Sequence, residues 1–293
     1  MRLGRNPKLV ISLVYFGSRA ALRFAARLIG LPQHPKLTIL YYHSVPPEQR
    51  HNFVRQMDIL QSKACVLPAS FTGELPGDKP CVAITFDDAF VSVLENALPE
   101  LAARRLPCAI FVPVGLLGKH PSWVMEELDD VGEVVASAEQ LRQASGKLVV
   151  LGSHSLTHPR LSKISLDRAE LEIKESRREL RDVIGKDVDL FAFPYGDENA
   201  ALIELCKQAG YRYVFTALPG SVDPSGPNVV RGRVNVDLTD RPIEFFLKYQ
   251  GAYAWTRHLT RLKRRVKSAL SSVQSRRHET PAHYAASPTS PKA

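Results

Sequence analysis

Seven apolar stretches, each rich in β-branched or aromatic residues, punctuate the middle of the chain: 37–43 (LTILYYH), 81–86 (CVAITF), 107–112 (PCAIFV), 147–152 (KLVVLG), 188–193 (VDLFAF), 211–216 (YRYVFT) and 229–236 (VVRGRVNV). Their lengths fit strands, and their near-continuous apolarity fits strands buried on both faces. Helical patterns lie between most of them. The clearest is 165–184, with Ser165 as its N-cap and Gly185 placed to end it. Strands alternating with helices over about 200 residues predict an α/β fold with a parallel sheet, open or closed into a barrel.

The ends of the chain read differently. The 293 residues are 44% hydrophobic and 24% charged, which excludes a mainly disordered, collagenous or multi-pass membrane protein. Net charge is +9, but residues 1–36 hold seven Lys/Arg and no acid, and residues 245–293 hold ten Lys/Arg and one acid, Glu279. An acidic middle is therefore flanked by two basic ends. At about 100° per residue, Arg5, Lys8, Arg19, Arg23 and Arg27 share one sector of roughly 100°, Leu9 lies on its edge, and Val10, Leu13, Leu22, Phe24 and Leu28 fall outside it. That pattern fits a helix lying in a membrane interface. Two alternatives stand beside it: a helix packing its apolar face on the domain, and an export signal, which the returning arginines argue against. The tail around 255–278 repeats the basic, periodic pattern, as a second interfacial helix or a basic arm, and 279–293 is Pro/Ser/Ala-rich and reads as disordered. The expected division is a basic amphipathic helix (1–36), a central domain (37–244), a basic helical tail (245–278) and a disordered terminus (279–293). Two basic ends favour an anionic membrane surface over nucleic acid, for which no recognition fold is present. Cys65, Cys81, Cys108 and Cys206 form no C-x-x-C pair and read as reduced core residues, which places the chain in the cytoplasm, peripheral on the inner face of the membrane.

Three of the seven strands run into polar clusters at their carboxyl ends, where ligands bind in such folds. Asp87 and Asp88 follow the second, His154 to His158 the fourth, and Pro194-Tyr195-Gly196 the fifth. Adjacent carboxylates after a buried strand do not serve packing, because an unpaired buried carboxylate costs several kcal/mol or takes up a proton. Pro159 disfavours helix at His158, so the two histidines sit on a turn. One Asp with two His makes a three-ligand site with open positions, as a catalytic divalent metal requires.

TFDDA (85–89), HSLTH (154–158) and FAFPYG (191–196), in this order after LYYHSV (40–45), resemble the polysaccharide deacetylase family, the NodB homology domain of carbohydrate esterase family 4, in its FAYPYG-like subgroup. The resemblance covers roughly 37–236. It implies a distorted seven-stranded (β/α) barrel, TIM-like, and hydrolysis of an acetyl group from a sugar. It makes Asp88, His154 and His158 the metal ligands, Asp87 the general base, and the backbone N–H of Tyr195 an oxyanion donor; Tyr195 as a half-buried barrel-mouth aromatic is the alternative. The donor set suits Zn²⁺, with Co²⁺, Ni²⁺ or Fe²⁺ also served by it.

Three departures from the family pattern matter. Ala89 stands where most members have Gly. Ala192 stands where many carry an Arg that orients the base, which leaves Arg233 as a substitute or as a surface ion pair. The family's late His, the acid that protonates the leaving amine, has no counterpart, since after His158 only His258, His278 and His283 remain, all in the tail. His43, ending the first strand, is the candidate for that acid or for a substrate contact, against a purely structural role; His34, His51 and His120 read as loop or surface residues. The expected activity is metal-dependent removal of the N-acetyl group from an amino sugar in a glycan or lipid-linked glycan intermediate. Alternatives are a sugar deformylase or O-deacetylase with the same centre, or a degenerate sugar-binding protein.

Overall fold

The computed structural model describes residues 4–32, 35–123, 130, 132–227, 229–260 and 262. Each of the seven apolar stretches contributes a strand: β1 (Leu37–Tyr42), β3 (Cys81–Phe86), β4 (Cys108–Val112), β5 (Val149–Ser153), β6 (Leu190–Ala192), β7 (Tyr213–Thr216) and, from the last stretch, both β9 (Val230–Gly232) and β10 (Val234–Asn235). Two short strands carried no periodic signal, β2 (Cys65–Val66) beside β3 and β8 (Ser221–Val222) antiparallel to β1. The main path runs β10-β1-β3-β4-β5-β6-β7-β9, all parallel. The last stretch is bent at Arg233, so that Val230–Gly232 pairs with β7 and Val234–Asn235 pairs with β1. One segment thus joins both edges of the sheet and nearly closes it into an eight-stranded barrel.

Alternation along the strands fills two layers. Leu37, Ile39, Ala83, Ala109, Phe111, Leu190, Ala192 and Phe215 form one buried cluster inside the barrel, small residues making room for the two phenylalanines. Leu40, Tyr42, Val82, Ile84, Phe86, Ile110 and Val112 belong to the larger cluster, against the surrounding helices α2 (Arg50–Lys63), α3 (Leu98–Ala103), α4 (Ala138–Ala144), α5 (Leu166–Ile184), α6 (Ala200–Gln208) and α7 (Pro242–Tyr249). On α5, Ser165 accepts from the N–H of Arg168, and Gly185 takes the left-handed conformation at φ 67° that ends the helix.

The compact unit that contains the barrel extends to Trp255, and the rest of the chain, from Thr256, forms a second one. Phe245, Leu247, Tyr249 and Ala252 are buried with the barrel. In the second unit residues 256–260 are helical. The basic stretch 263–278 and the terminus 279–293 lie outside the described residues, as do His34, His278 and His283. Ahead of the barrel, α1 (Arg5–Leu28) is one continuous helix of 24 residues.

Candidate metal centre and active site

The carboxyl ends of the parallel strands bring the sequence-separated motifs together. Asp87 continues the β3 ladder, its N–H donating to the Tyr42 carbonyl at 2.9 Å, which sets it level with His43. The His154 N–H donates to the Val112 carbonyl at 2.9 Å, extending β5 by one residue. Asp88, His154 and His158 are all buried and offer one ligand atom each within 4.8 Å of one another. His158 Nε2 lies 3.3 Å and His154 Nε2 3.7 Å from Asp88 Oδ1.

Two observations show that this donor set fits a cation. Asp88 Oδ1 is buried with no hydrogen-bond partner, a cost of several kcal/mol unless something positive meets it. His154 Nδ1 lies 2.8 Å from the Ala192 carbonyl oxygen; a carbonyl only accepts, so Nδ1 carries the proton and Nε2 turns its lone pair toward Asp88. A ligating histidine is commonly held by this kind of bond.

Burial chiefly, then the like charges of Asp87 and Asp130, push the Asp88 carboxyl up to about 8, against the opposing influence of His43. Burial also brings His154 down to about 4, and holds His158 well below the usual imidazole range with help from His154. Both imidazoles are therefore neutral at pH 7, the form that binds a metal.

Asp87 has a different environment although it is the next residue. Burial would raise its pKa, but Arg233 overcomes that and holds it down to about 2. The guanidinium meets the carboxylate with both prongs, Nη1 to Oδ1 at 2.6 Å and Nη2 to Oδ2 at 2.8 Å. Arg233 is 1% exposed and lies over Tyr41 and Phe111, so it is a buried bidentate partner of Asp87 and not a surface pair. Burial raises both adjacent aspartates, and the two-pronged arginine brings only Asp87 down, so the neighbours end in opposite protonation states. The residue is carried into the interior by the bend between β9 and β10.

His43 is half-buried at the end of β1, edge-on to the Tyr41 ring at 5.7 Å. Its charge influences Asp87, Asp88, His154 and His158, which places it at the same mouth. Tyr195 takes φ 57°, and its ring lies between His158 at 4.8 Å and the Arg160 guanidinium at 3.8 Å. The next residue must be glycine, because a Cβ on Gly196 would stand 2.3 Å from Ala217 Cβ, at φ +59°. Asp88, Ala89, Ser155, His158 and Tyr195 all have positive φ. Each such non-glycine residue costs about 1–2 kcal/mol, and strain of this kind is characteristic of functional sites. At Ala89 the left-handed backbone is adopted, at φ 52°, without the glycine that relieves it.

Four residues at the site were not singled out by the sequence. Trp123 stacks on His158 with centroids 3.9 Å apart, and Arg160 covers Tyr195. Asp130 is buried close enough to Asp88 to raise its pKa. Glu172, fully buried on α5, accepts from the N–H groups of Leu156 and Thr157 at 3.0 and 2.8 Å and from the Thr157 hydroxyl at 2.7 Å. It ties down the turn that carries both histidines. The signal for it was present: Ala169, Glu172, Ile173, Ser176 and Leu180 form the buried stripe of α5, and a carboxylate inside such a stripe has a polar partner. Glu172→Ala leaves those donors unsatisfied. It should cost about 2–4 kcal/mol in urea unfolding and weaken zinc binding by roughly 10–100-fold in a competitive chelator titration, with Glu172→Gln falling between.

Fold and site together define a class, a β/α barrel with a donor set at the strand ends that fits a metal ion. Residues 74–214 match the family model for polysaccharide deacetylase. The matched span holds Asp87, Asp88, His154, His158 and Tyr195 and leaves out His43 and Arg233. Among similar proteins, the chain is 23% identical over 197 residues to the putative polysaccharide deacetylase YxkH of Bacillus subtilis (strain 168), covering 64% of this chain and 66% of that one. It is 27% identical over 184 residues to the poly-beta-1,6-N-acetyl-D-glucosamine N-deacetylase of Escherichia coli (strain K12), covering 52% of this chain and 27% of that one. The chain thus spans less than two thirds of either relative. The structure of IcaB from Ammonifex degensii superimposes with a TM-score of 0.62 at 26% identity, over 76% of this chain and 99% of that one.

Proposed function

We propose that this protein is a zinc-dependent N-deacetylase that hydrolyses the acetamide of an amino sugar in a glycan, including a lipid-linked one. The observation that carries this reading is the contrast between the two aspartates, one bare beside two neutral histidines and one ionised in the grip of Arg233. A divalent ion held by Asp88, His154 and His158 would supply Lewis acidity toward an amide carbonyl and would bring the pKa of water down toward about 7. Asp87, oriented by Arg233, takes the proton from the attacking water. The Tyr195 backbone N–H donates to the oxygen on which negative charge develops. His43 returns a proton to the departing amine, so that amide and water become amine and acetate.

His43→Gln should lower turnover by roughly 10²–10⁴-fold and remove the alkaline limb of the pH–rate profile. Unchanged turnover with an unchanged profile would mean that His43 is structural. The deacetylase reading itself is tested by incubating the purified chain with N-acetylated amino-sugar oligomers and measuring acetate. Formate from N-formyl sugars without acetate would make it a deformylase, and sugar binding without either product a binding protein.

The reading places the chain on the cytoplasmic face of an anionic membrane. Its support is the orientation of α1, long and apolar enough by composition to cross a bilayer yet with 6% of that window buried. Val14, Leu22, Phe24 and Leu28 are 65–72% exposed, the reverse of a helix that packs its apolar face on its domain. Sedimentation with anionic vesicles should be lost when residues 1–30 are removed, and equal binding without them would refute the helix's part.

A further inference from the structure

The arginines of α1 face inward. In its first half, Arg5 donates to both Glu244 oxygens at 2.8 and 2.9 Å, Ser12 is fully buried and accepts from Trp255 Nε1 at 2.9 Å, and Phe16 meets Phe246 edge-on at 5.3 Å. At about 100° per residue, Arg19, Arg23 and Arg27 continue the same sector in the second half. There the barrel no longer fills the space beside the helix. The arginines instead line one wall of a cleft of about 500 Å³, and Lys36 and Lys79 stand on the wall made by the segments entering β1 and β3. The one acid on its wall is Asp78. Among the described residues, none of these five cations is in an ion pair. The cleft lies at the amino ends of the strands, opposite the candidate active site.

Five unpaired cations around a recess require an anion of more than one charge or several anions. The neighbouring surface says what kind, since Leu22, Leu28, Ile29 and Leu31 are 54–73% exposed on the same segment and do not line the cleft. Charge and apolar surface on opposite faces of one helix half match an amphiphile with a phosphate at the junction. An interfacial helix sinks its apolar face about 5–10 Å into the headgroup and acyl boundary, which leaves its polar face at the level of the phosphates. We propose that the cleft between α1 and the barrel floor binds the phosphate of an anionic phospholipid headgroup, clamping it between the arginines of the helix and the two lysines of the barrel. This rests on the membrane-surface reading above and adds a specific headgroup site to it.

The test uses the full chain and vesicles of phosphatidylcholine with or without 30% phosphatidylglycerol. The informative variant is Lys36→Gln/Lys79→Gln, whose residues are off the helix and matter only if the cleft closes on a headgroup. At about fivefold per cation near a charged surface, it should weaken binding to phosphatidylglycerol vesicles roughly 30-fold. Binding to pure phosphatidylcholine and acetate release from soluble oligomers should stay as in the wild type. Arg19→Gln/Arg23→Gln/Arg27→Gln should lose more, and Leu22→Ser/Leu28→Ser should lose binding to both vesicles. Wild-type affinity in the lysine variant on phosphatidylglycerol would overturn the site while leaving a membrane helix intact. Failure of the wild type to bind either vesicle would overturn both readings. Thermal stabilisation by inorganic phosphate, abolished in the lysine variant without any vesicle binding, would assign the cleft to a soluble anion and overturn the lipid source.

Discussion

Asp88→Ala should bind zinc at least about 100-fold more weakly than the wild type and release acetate at background rate, because it removes the single carboxylate of the donor set. Loss of an outer-shell partner already costs roughly 10–100-fold, and a direct ligand costs more. The pH dependence gives a second readout. The Asp88 carboxyl lies near 8 in the metal-free protein, so below pH 8 an incoming ion must displace a proton, and apparent affinity should fall about tenfold per pH unit from 8 toward 5. The same shift governs metal-free stability. The folded chain holds a proton that the unfolded chain releases above about 3.9, so this group's contribution is fully present below pH 4 and declines as pH rises through 8. Asp88→Asn removes that decline, and urea unfolding with chelator at pH 5 and pH 9 should show the wild type losing stability between them and the variant losing less. Full metal content in Asp88→Ala would disprove the assignment of this ligand.

Arg233→Met should be the most damaging substitution away from the metal ligands. It leaves Asp87 buried without its cation, which typically costs 3–5 kcal/mol, and it frees a carboxyl that Arg233 keeps ionised down to about pH 2. In the wild type this group's stabilisation is present above about pH 4 and is lost as pH falls through 2. In the variant the carboxyl takes up a proton at much higher pH, so the acidic limb of the pH–rate profile should move upward and turnover at pH 7 should fall by roughly 10²–10³-fold. Arg233→Lys keeps the charge but not the two-pronged geometry, and should recover stability more than rate. A purely structural Arg233 would lower the melting temperature and leave the pH–rate limb where it was.

The strands and the motif residues were legible because each is a local pattern: an apolar run of strand length, then a polar cluster that has no reason to follow it. The double part played by 229–236 was not legible. Nothing in VVRGRVNV says that half of it pairs with β7 and half with β1, since that depends on the curvature of the whole sheet. The pairing of Asp87 with Arg233 depends on the same closure, and the sequence left Arg233 open between an orienting role and a surface ion pair. The sector holding the arginines of α1 was readable from the period, but the direction in which it faces follows from Arg5, Ser12 and Phe16 finding partners on α7 and at Trp255. Trp123 and Arg160 had no periodic or motif signal, being loop residues whose stacking partners are fixed by tertiary contact alone.

The bend at Arg233 has a consequence for the order of events during synthesis. The carboxylate and the arginine that holds it are 146 positions apart, and the arginine lies in the segment that joins the two edges of the sheet. Domains form as units while the chain emerges at about 5–20 residues per second, so Asp87 is made roughly seven to thirty seconds before its partner exists. Until residue 235 is in place the barrel has two open edges and Asp87 has no fixed charge or orientation. Under the proposed function, completion of the fold and acquisition of a competent proton acceptor are the same event.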